Sequence, residues 1–155
     1  MINTATEQEL PDLVPLLRDL NALHARHLPE RFHTRGSDAA ILRVLTEAQA
    51  SGTQFLVYRT EGVARGYLAW MARPVPGADD ALQEPQRMAL LDHIYVTPIS
   101  RRRGIASRLI ARFEAEIAES FDGWKVQVHA FNAASAALMM RHGAQLAVQV
   151  YGKAL

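Results

Sequence analysis

From Met88 to Leu155 the chain alternates strand, helix, strand, helix and strand, and this order constrains the fold more than any other feature. A strand spans Met88 to Val96 and stops at Pro98. A helix runs from about Gly104 to Ser120, a strand from Trp124 to Ala130, and a helix from Ala133 to His142. A closing strand is read from Gln145 to Leu155. Alternation of this kind requires a sheet layered with helices, because each helix must bury an apolar stripe against something. Ile105, Leu109, Phe113 and Ile117 form such a stripe, each one four residues after the last.

The first half supplies further elements. Residues 2–5 read as a short strand, and Leu10, Leu13, Val14, Leu17 and Leu20 recur at helical spacing after a Thr6 cap. His24 to Gly36 reads as a loop. Ser37 or Asp38 then caps a helix that carries Ile41, Leu42, Leu45 and Ala48 and ends near Gly52. Gln54 to Arg59 and Val63 to Arg73 read as strands joined by a hairpin turn at Glu61-Gly62. Pro74 to Gln86, with three prolines, reads as a long loop.

At 155 residues, with neither linker nor internal repeat, residues 1–155 are expected to form one domain. There is no cysteine, which excludes disulfides, thiolate metal sites and a cysteine nucleophile. Net charge is +1, from 17 basic and 16 acidic residues, which disfavours nucleic-acid binding even with Arg101 to Arg103 in a row. No apolar run spans a bilayer and no signal peptide is visible, so a cytoplasmic protein without a membrane partner is expected.

The segment most informative about function is Tyr95-Val96-Thr97-Pro98-Ile99-Ser100-Arg101-Arg102-Arg103-Gly104-Ile105-Ala106-Ser107. A helix N-terminus leaves backbone N–H groups without internal partners and carries about half a positive charge. Small residues at Gly104 and Ala106 admit an anion close to that backbone, and arginines can neutralise the remainder. Three arginines solvating a surface turn is the competing reading. Downstream, Asn132 is a good N-cap for the helix from Ala133, Leu138 packs inward, and Gly143 ends the helix.

Val96-Thr97-Pro98 followed by Arg101-x-x-Gly104-x-Ala106 and Leu109 closely resembles the signature of the GNAT superfamily of N-acetyltransferases. Asn132 to Gly143 resembles the family's later motif. The likeness runs over residues 53–155. It implies a mixed, mostly antiparallel α/β sheet of about six strands flanked by about four helices.

It also implies that Arg101, Arg102, Arg103, Gly104, Ile105, Ala106 and Ser107 hold the pyrophosphate of acetyl-CoA, a co-substrate, with no metal. Ile94, Tyr95 and Val96 would pair with the pantetheine arm, and the Ile94 amide would face the oxyanion. Asn132 and Ser135 complete the implied cofactor set. Two positions depart from the pattern: Met139 stands where many relatives carry a proton-donating tyrosine, and Ala144 replaces a phenylalanine. A thioether has no proton to give, which leaves Ser135 and Tyr151 as candidate acids.

Amide formation from a thioester needs a held donor, a deprotonated amine and an oxyanion site. Asp92 and His93 are candidate bases, expected on opposite faces of their strand, and His129 is a third. Water alone is an alternative base. In relatives, segments 24–36 and 74–87 build the acceptor pocket. His24, His27 and Arg31 hint at an anionic acceptor or a metal, whereas Asp79, Asp80 and Glu84 hint at a cationic amine. The partners so implied are acetyl-CoA and an amine acceptor (a small molecule, an amino acid or a protein amino group), with a homodimer left open. A non-catalytic acyl-CoA sensor is the alternative that Met139 keeps in view.

Overall fold

Glu61 and Gly62 turn the chain between β2 (Gln54–Thr60) and β3 (Val63–Ala72), both at positive φ, 50° and 77°. A two-residue hairpin needs that conformation at both central positions to match the twist of its strands. The structure, a computed structural model, describes residues 1–155. β1 (Ile2–Thr4) lies antiparallel to β2, and β4 (Met88–Val96) lies antiparallel to β3. β5 (Gly123–Val126) runs parallel to β4 and completes a five-stranded, mostly antiparallel sheet in the order β1-β2-β3-β4-β5.

Each face of the sheet carries its own apolar layer. Phe55, Val57, Tyr67, Ala69 and Tyr95 pack under Leu16 and Leu20 of α1 (Val14–His27) and Leu45 of α2 (Asp38–Ala50). On the opposite face, Leu56, Leu68 and Leu91 meet Ile105, Leu109, Ile110 and Phe113 of α3 (Ile105–Ile117) and Met139 of α4 (Ala133–Arg141). Phe55 and Val57 on one side with Leu56 on the other is the period-two alternation of a strand covered on both faces. Full burial of one such side chain contributes about 1.5–3 kcal/mol.

Local capping sets the helix ends. Ser37 Oγ accepts from the Ala40 amide at 3.1 Å, Asn132 Oδ1 accepts from the Ser135 amide at 3.1 Å, and Gly143 stops α4 at φ 84°. The helix expected after Thr6 instead begins as a 3-10 segment over Glu7–Leu13. Pro11 has no N–H and crowds the preceding turn, so the α-helix proper begins at Val14 with Pro15 in its first turn.

The expected closing strand over residues 145–155 is not formed, and this is why the sheet has five strands instead of about six. Leu146, Val148 and Val150 alternate as a strand would, yet all three are exposed. No backbone hydrogen bond reaches this stretch, and a strand pattern without a neighbouring ladder cannot satisfy its amides internally. β5 is also shorter than expected, ending at Val126 where β4 turns away.

That divergence starts from a bulge. Ala69 pairs with His93 and Trp70 with Leu91, leaving Asp92 as one extra residue in β4.

Candidate active site

Parallel pairing of β4 with β5 stops at Leu91 and Val126. Beyond it, Asp92 to Val96 keep only β3 as a neighbour, and Gln127 to His129 run on as unpaired chain. The two strands part and leave a cavity of about 320 Å³ between them. Leu91, Asp92, His93 and Ile94 form one wall, and Val126, Val128 and His129 form the other. Leu20, His24 and Phe32 close it from the α1 side, Asn132 and Ser135 from the α4 side. The gap therefore connects the two faces of the sheet.

Asp92 and His93 do not lie on opposite sides, as strict alternation predicts. The extra residue at the bulge breaks the alternation and brings Asp92 Oδ2 to 3.7 Å from His93 Nε2. His93 Nδ1 sits 3.4 Å from the hydroxyl of Tyr67, a side chain with no exposed surface. Burial pushes the His93 imidazole below its ordinary range; Asp92 partly opposes this and His24 adds to it. Burial likewise pushes the Tyr67 phenol up, so it stays protonated. The result is a neutral imidazole, anchored through one nitrogen and with the other beside a carboxylate. Such a group can take a proton and hold it as a stabilised cation.

At the far end of β4, Pro98–Ser100 make one 3-10 turn, and left-handed residues at Arg102 (φ 60°) and Gly104 (φ 71°) bend the chain into α3. The amides of Arg102, Arg103 and Gly104 find no partner in the protein. Those of Ile105, Ala106 and Ser107 occupy the first turn of α3, where no intrahelical carbonyl reaches them. Left-handed residues in a tight turn gather successive N–H groups into a concave, anion-attracting row. A Cβ on Gly104 would meet nothing within 4 Å, so the space over this row is open.

Gly66 of β3 lets the helix start sit close to the sheet. A Cβ there would lie 3.0 Å from the Tyr95 carbonyl and 3.4 Å from Ile105 Cγ2.

The arginines do not act alike. Arg101 folds back, its Nε donating to the Val96 carbonyl at 3.0 Å and its guanidinium 5.6 Å from the centre of the Tyr95 ring. It pins the turn to the strand. Arg102 and Arg103 are exposed and unpaired. Tyr95 itself is buried, with its hydroxyl 3.4 Å from Asp19, and burial raises its pKa. Arg108, one turn into α3, lies over the Tyr58 ring at 4.9 Å and donates to the Arg103 carbonyl at 3.4 Å.

The remaining candidates separate cleanly. Ser135 lines the cavity, and Asn132 both lines it and caps α4. Met139 is 3% exposed and packs in the α3-side core. Tyr151 is exposed in the C-terminal stretch, bonded through its hydroxyl to Gln149 and absent from the cavity wall. Of the two segments expected to shape an acceptor pocket, 24–36 contributes Arg31 and Phe32 beside His24, while 74–87 contributes nothing to the wall. Asp79, Asp80 and Glu84 therefore stand away from it. His24 and His27 enter an aromatic cluster with Phe131.

A model of the acetyltransferase (GNAT) family matches residues 17–144. The chain belongs to the GNAT acetyltransferase family. It is accordingly an N-acetyltransferase by class, and acetyl-CoA is the donor its family uses. No curated protein matches it by sequence.

Solved structures show the same GNAT fold at low identity. A mutant of the BH1408 protein from Bacillus halodurans superposes with a TM-score of 0.87 at 18% identity, covering 100% of this chain and 99% of that one. A ribosomal-protein-alanine N-acetyltransferase from Brucella melitensis biovar Abortus 2308 gives 0.74 at 20% identity, covering 100% and 99%. An aminoglycoside N-acetyltransferase, AAC(6')-Iy, in complex with CoA gives 0.73 at 21% identity, covering 100% and 93%.

Several residues of this GNAT site escape a reading by sequence. Tyr67 lies on β3, 26 positions from the histidine it touches. Tyr58 and Arg108 meet beside the turn from elements 50 positions apart. Only a hairpin register for β2 and β3, extended across to β4, could have placed the two tyrosines.

Proposed function

We propose that this GNAT protein, acting as one catalytic domain, transfers the acetyl group of acetyl-CoA to the amine of a small molecule or amino acid. The observation that carries the reading is the open row of unpartnered amides from Arg102 to Ser107, on the strand–turn–helix that also bears the Asp92–His93 pair. The residues fit the donor. A diphosphate would satisfy those amides together with the positive end of α3, with Arg102 and Arg103 adding charge at the rim. The unpaired edge of β4 beyond Asp92 offers backbone groups to a pantetheine amide chain, as a further strand would.

Acetyl-CoA supplies the acyl carbon and a thiolate leaving group. His93 does the proton work: with Nδ1–H donating to Tyr67, Nε2 keeps its lone pair and accepts the proton that the neutral amine loses as its nitrogen bonds to the acyl carbon. Asp92 steadies the resulting cation. The amine nitrogen bonds to the carbonyl carbon as the carbon–sulfur bond breaks, and the Ile94 amide faces the charge that develops on oxygen. Ser135, on the cavity wall, is the hydroxyl available to the departing sulfur. A thiol has a pKa near 8.5, so the thiolate leaves without a strong acid at Met139.

The test is release of free CoA thiol when the protein and acetyl-CoA are mixed with a panel of amines. Turnover on at least one acceptor is expected. Tight acetyl-CoA binding with no thiol released from any acceptor would instead make the protein a sensor of acyl-CoA.

A further inference from the structure

Three features of the cavity narrow the acceptor. The first is size. At about 320 Å³ the cavity lies at the small end of ligand sites, with room for a molecule of amino-acid dimensions.

The second is a wall of rings. His24, Phe32 and His129 all line the cavity and form a triangle with centroids 5.2, 5.2 and 5.7 Å apart. Phe131 stacks on His129 at 6.0 Å and 6°, and His27 stacks on Phe131 at 4.3 Å and 11°, so the triangle is braced from behind. Braced rings offer a preformed edge and face to another planar group.

The third is charge. Asp92 is the one carboxylate on the wall and it already faces His93. Arg31 is the one permanent cation on the wall. It lies 5.3 Å from the centre of the Phe32 ring and has no carboxylate within ion-pairing distance. A polycationic acceptor finds no acidic surface here, whereas an acceptor with its own carboxylate finds a free guanidinium beside the rings.

Resting on the acetyl-transfer reading, we infer that the acceptor is an aromatic amino acid, with its amine at His93, its ring against the His24–Phe32–His129 triangle and its carboxylate on Arg31. Acetyl transfer then yields the N-acetyl amino acid and free CoA, and the amine proton passes to His93.

Full-length protein with saturating acetyl-CoA is assayed by thiol release against phenylalanine, phenethylamine, which lacks the carboxylate, and kanamycin, a polycation. A charge-assisted bond to Arg31 should favour phenylalanine over phenethylamine by about tenfold to a hundredfold in kcat/KM. Arg31→Gln should bring that ratio close to one, mainly through KM, with thermal unfolding as a check that the variant is folded. Phenethylamine or kanamycin turned over as well as phenylalanine overturns the inference but leaves acetyl transfer standing. So does an unchanged ratio in Arg31→Gln. No thiol release from any amine overturns the acetyl-transfer reading itself.

Discussion

Gly104 offers a way to separate charge from shape at the start of α3. Its left-handed φ of 71° suits glycine, and a Cβ added there meets nothing within 4 Å. Asparagine and aspartate tolerate that conformation better than other residues with side chains, and they share one outline. Gly104→Asn and Gly104→Asp therefore differ in little except one negative charge beside the row of amides. At ~5 Å from a phosphate, that charge opposes binding by about 0.8 kcal/mol at the dielectric constant of water and about 3.3 kcal/mol at an effective value of 20. The acetyl-CoA dissociation constant of the Asp variant should accordingly exceed that of the Asn variant by roughly 4-fold to 250-fold. Calorimetric titration at low salt measures the ratio, and repeating it in 1 M salt, where the Debye length shrinks to about 3 Å, should pull the ratio toward one. Equal affinities at low salt, or a gap indifferent to salt, would refute the assignment of a diphosphate to this turn.

Replacing His93 with glutamine should lower kcat by about 10²–10⁴-fold. Because burial holds the imidazole below its usual range, the wild-type rate should fall only on the acid side of about pH 6.5, and the variant should lose that limb. A parallel acid limb in the variant would rule His93 out as the base. Folding stability should decline as pH drops below about 6.5, since the unfolded chain takes up protons that His93 and His129, both lowered by burial, resist in the folded state. Melting temperatures from pH 7.5 to 5.5 should show the decline, and it should be smaller in His93→Gln/His129→Gln. Gly66→Ala pushes a Cβ to 3.0 Å from the Tyr95 carbonyl, and overpacking of that kind costs about 1–3 kcal/mol. Urea unfolding identical to wild type would contradict the close approach.

What depends on neighbours in sequence was legible from the chain alone. The Glu61-Gly62 hairpin, the Asn132 cap, the Gly143 stop and the strand–turn–helix through Gly104 are each decided within a few residues. What depends on contacts across the fold was not. Alternation placed Asp92 and His93 on opposite faces because nothing local announces a bulge that is defined by the register of β3. The triangle of His24, Phe32 and His129 joins residues a hundred positions apart. Arg101 looked like a phosphate ligand, but only the folded strand end supplies the Val96 carbonyl that turns it back. The strand pattern at Leu146, Val148 and Val150 is genuine, but a pattern cannot supply the partner it needs.

The extra residue at Asp92 makes the spacing of β4 decide whether Asp92 and His93 meet. Shortening this strand by one position would give a flatter sheet with an uninterrupted ladder, and by backbone criteria a better one. It would also rotate everything upstream of the cut by half a pleat relative to the ring of His93, dissolving the carboxylate–imidazole contact and closing the fork in which substrates would meet. In this protein, an imperfection in the sheet and the proposed carboxylate–imidazole pair reside at the same position, so a redesign that tidied one would remove the other.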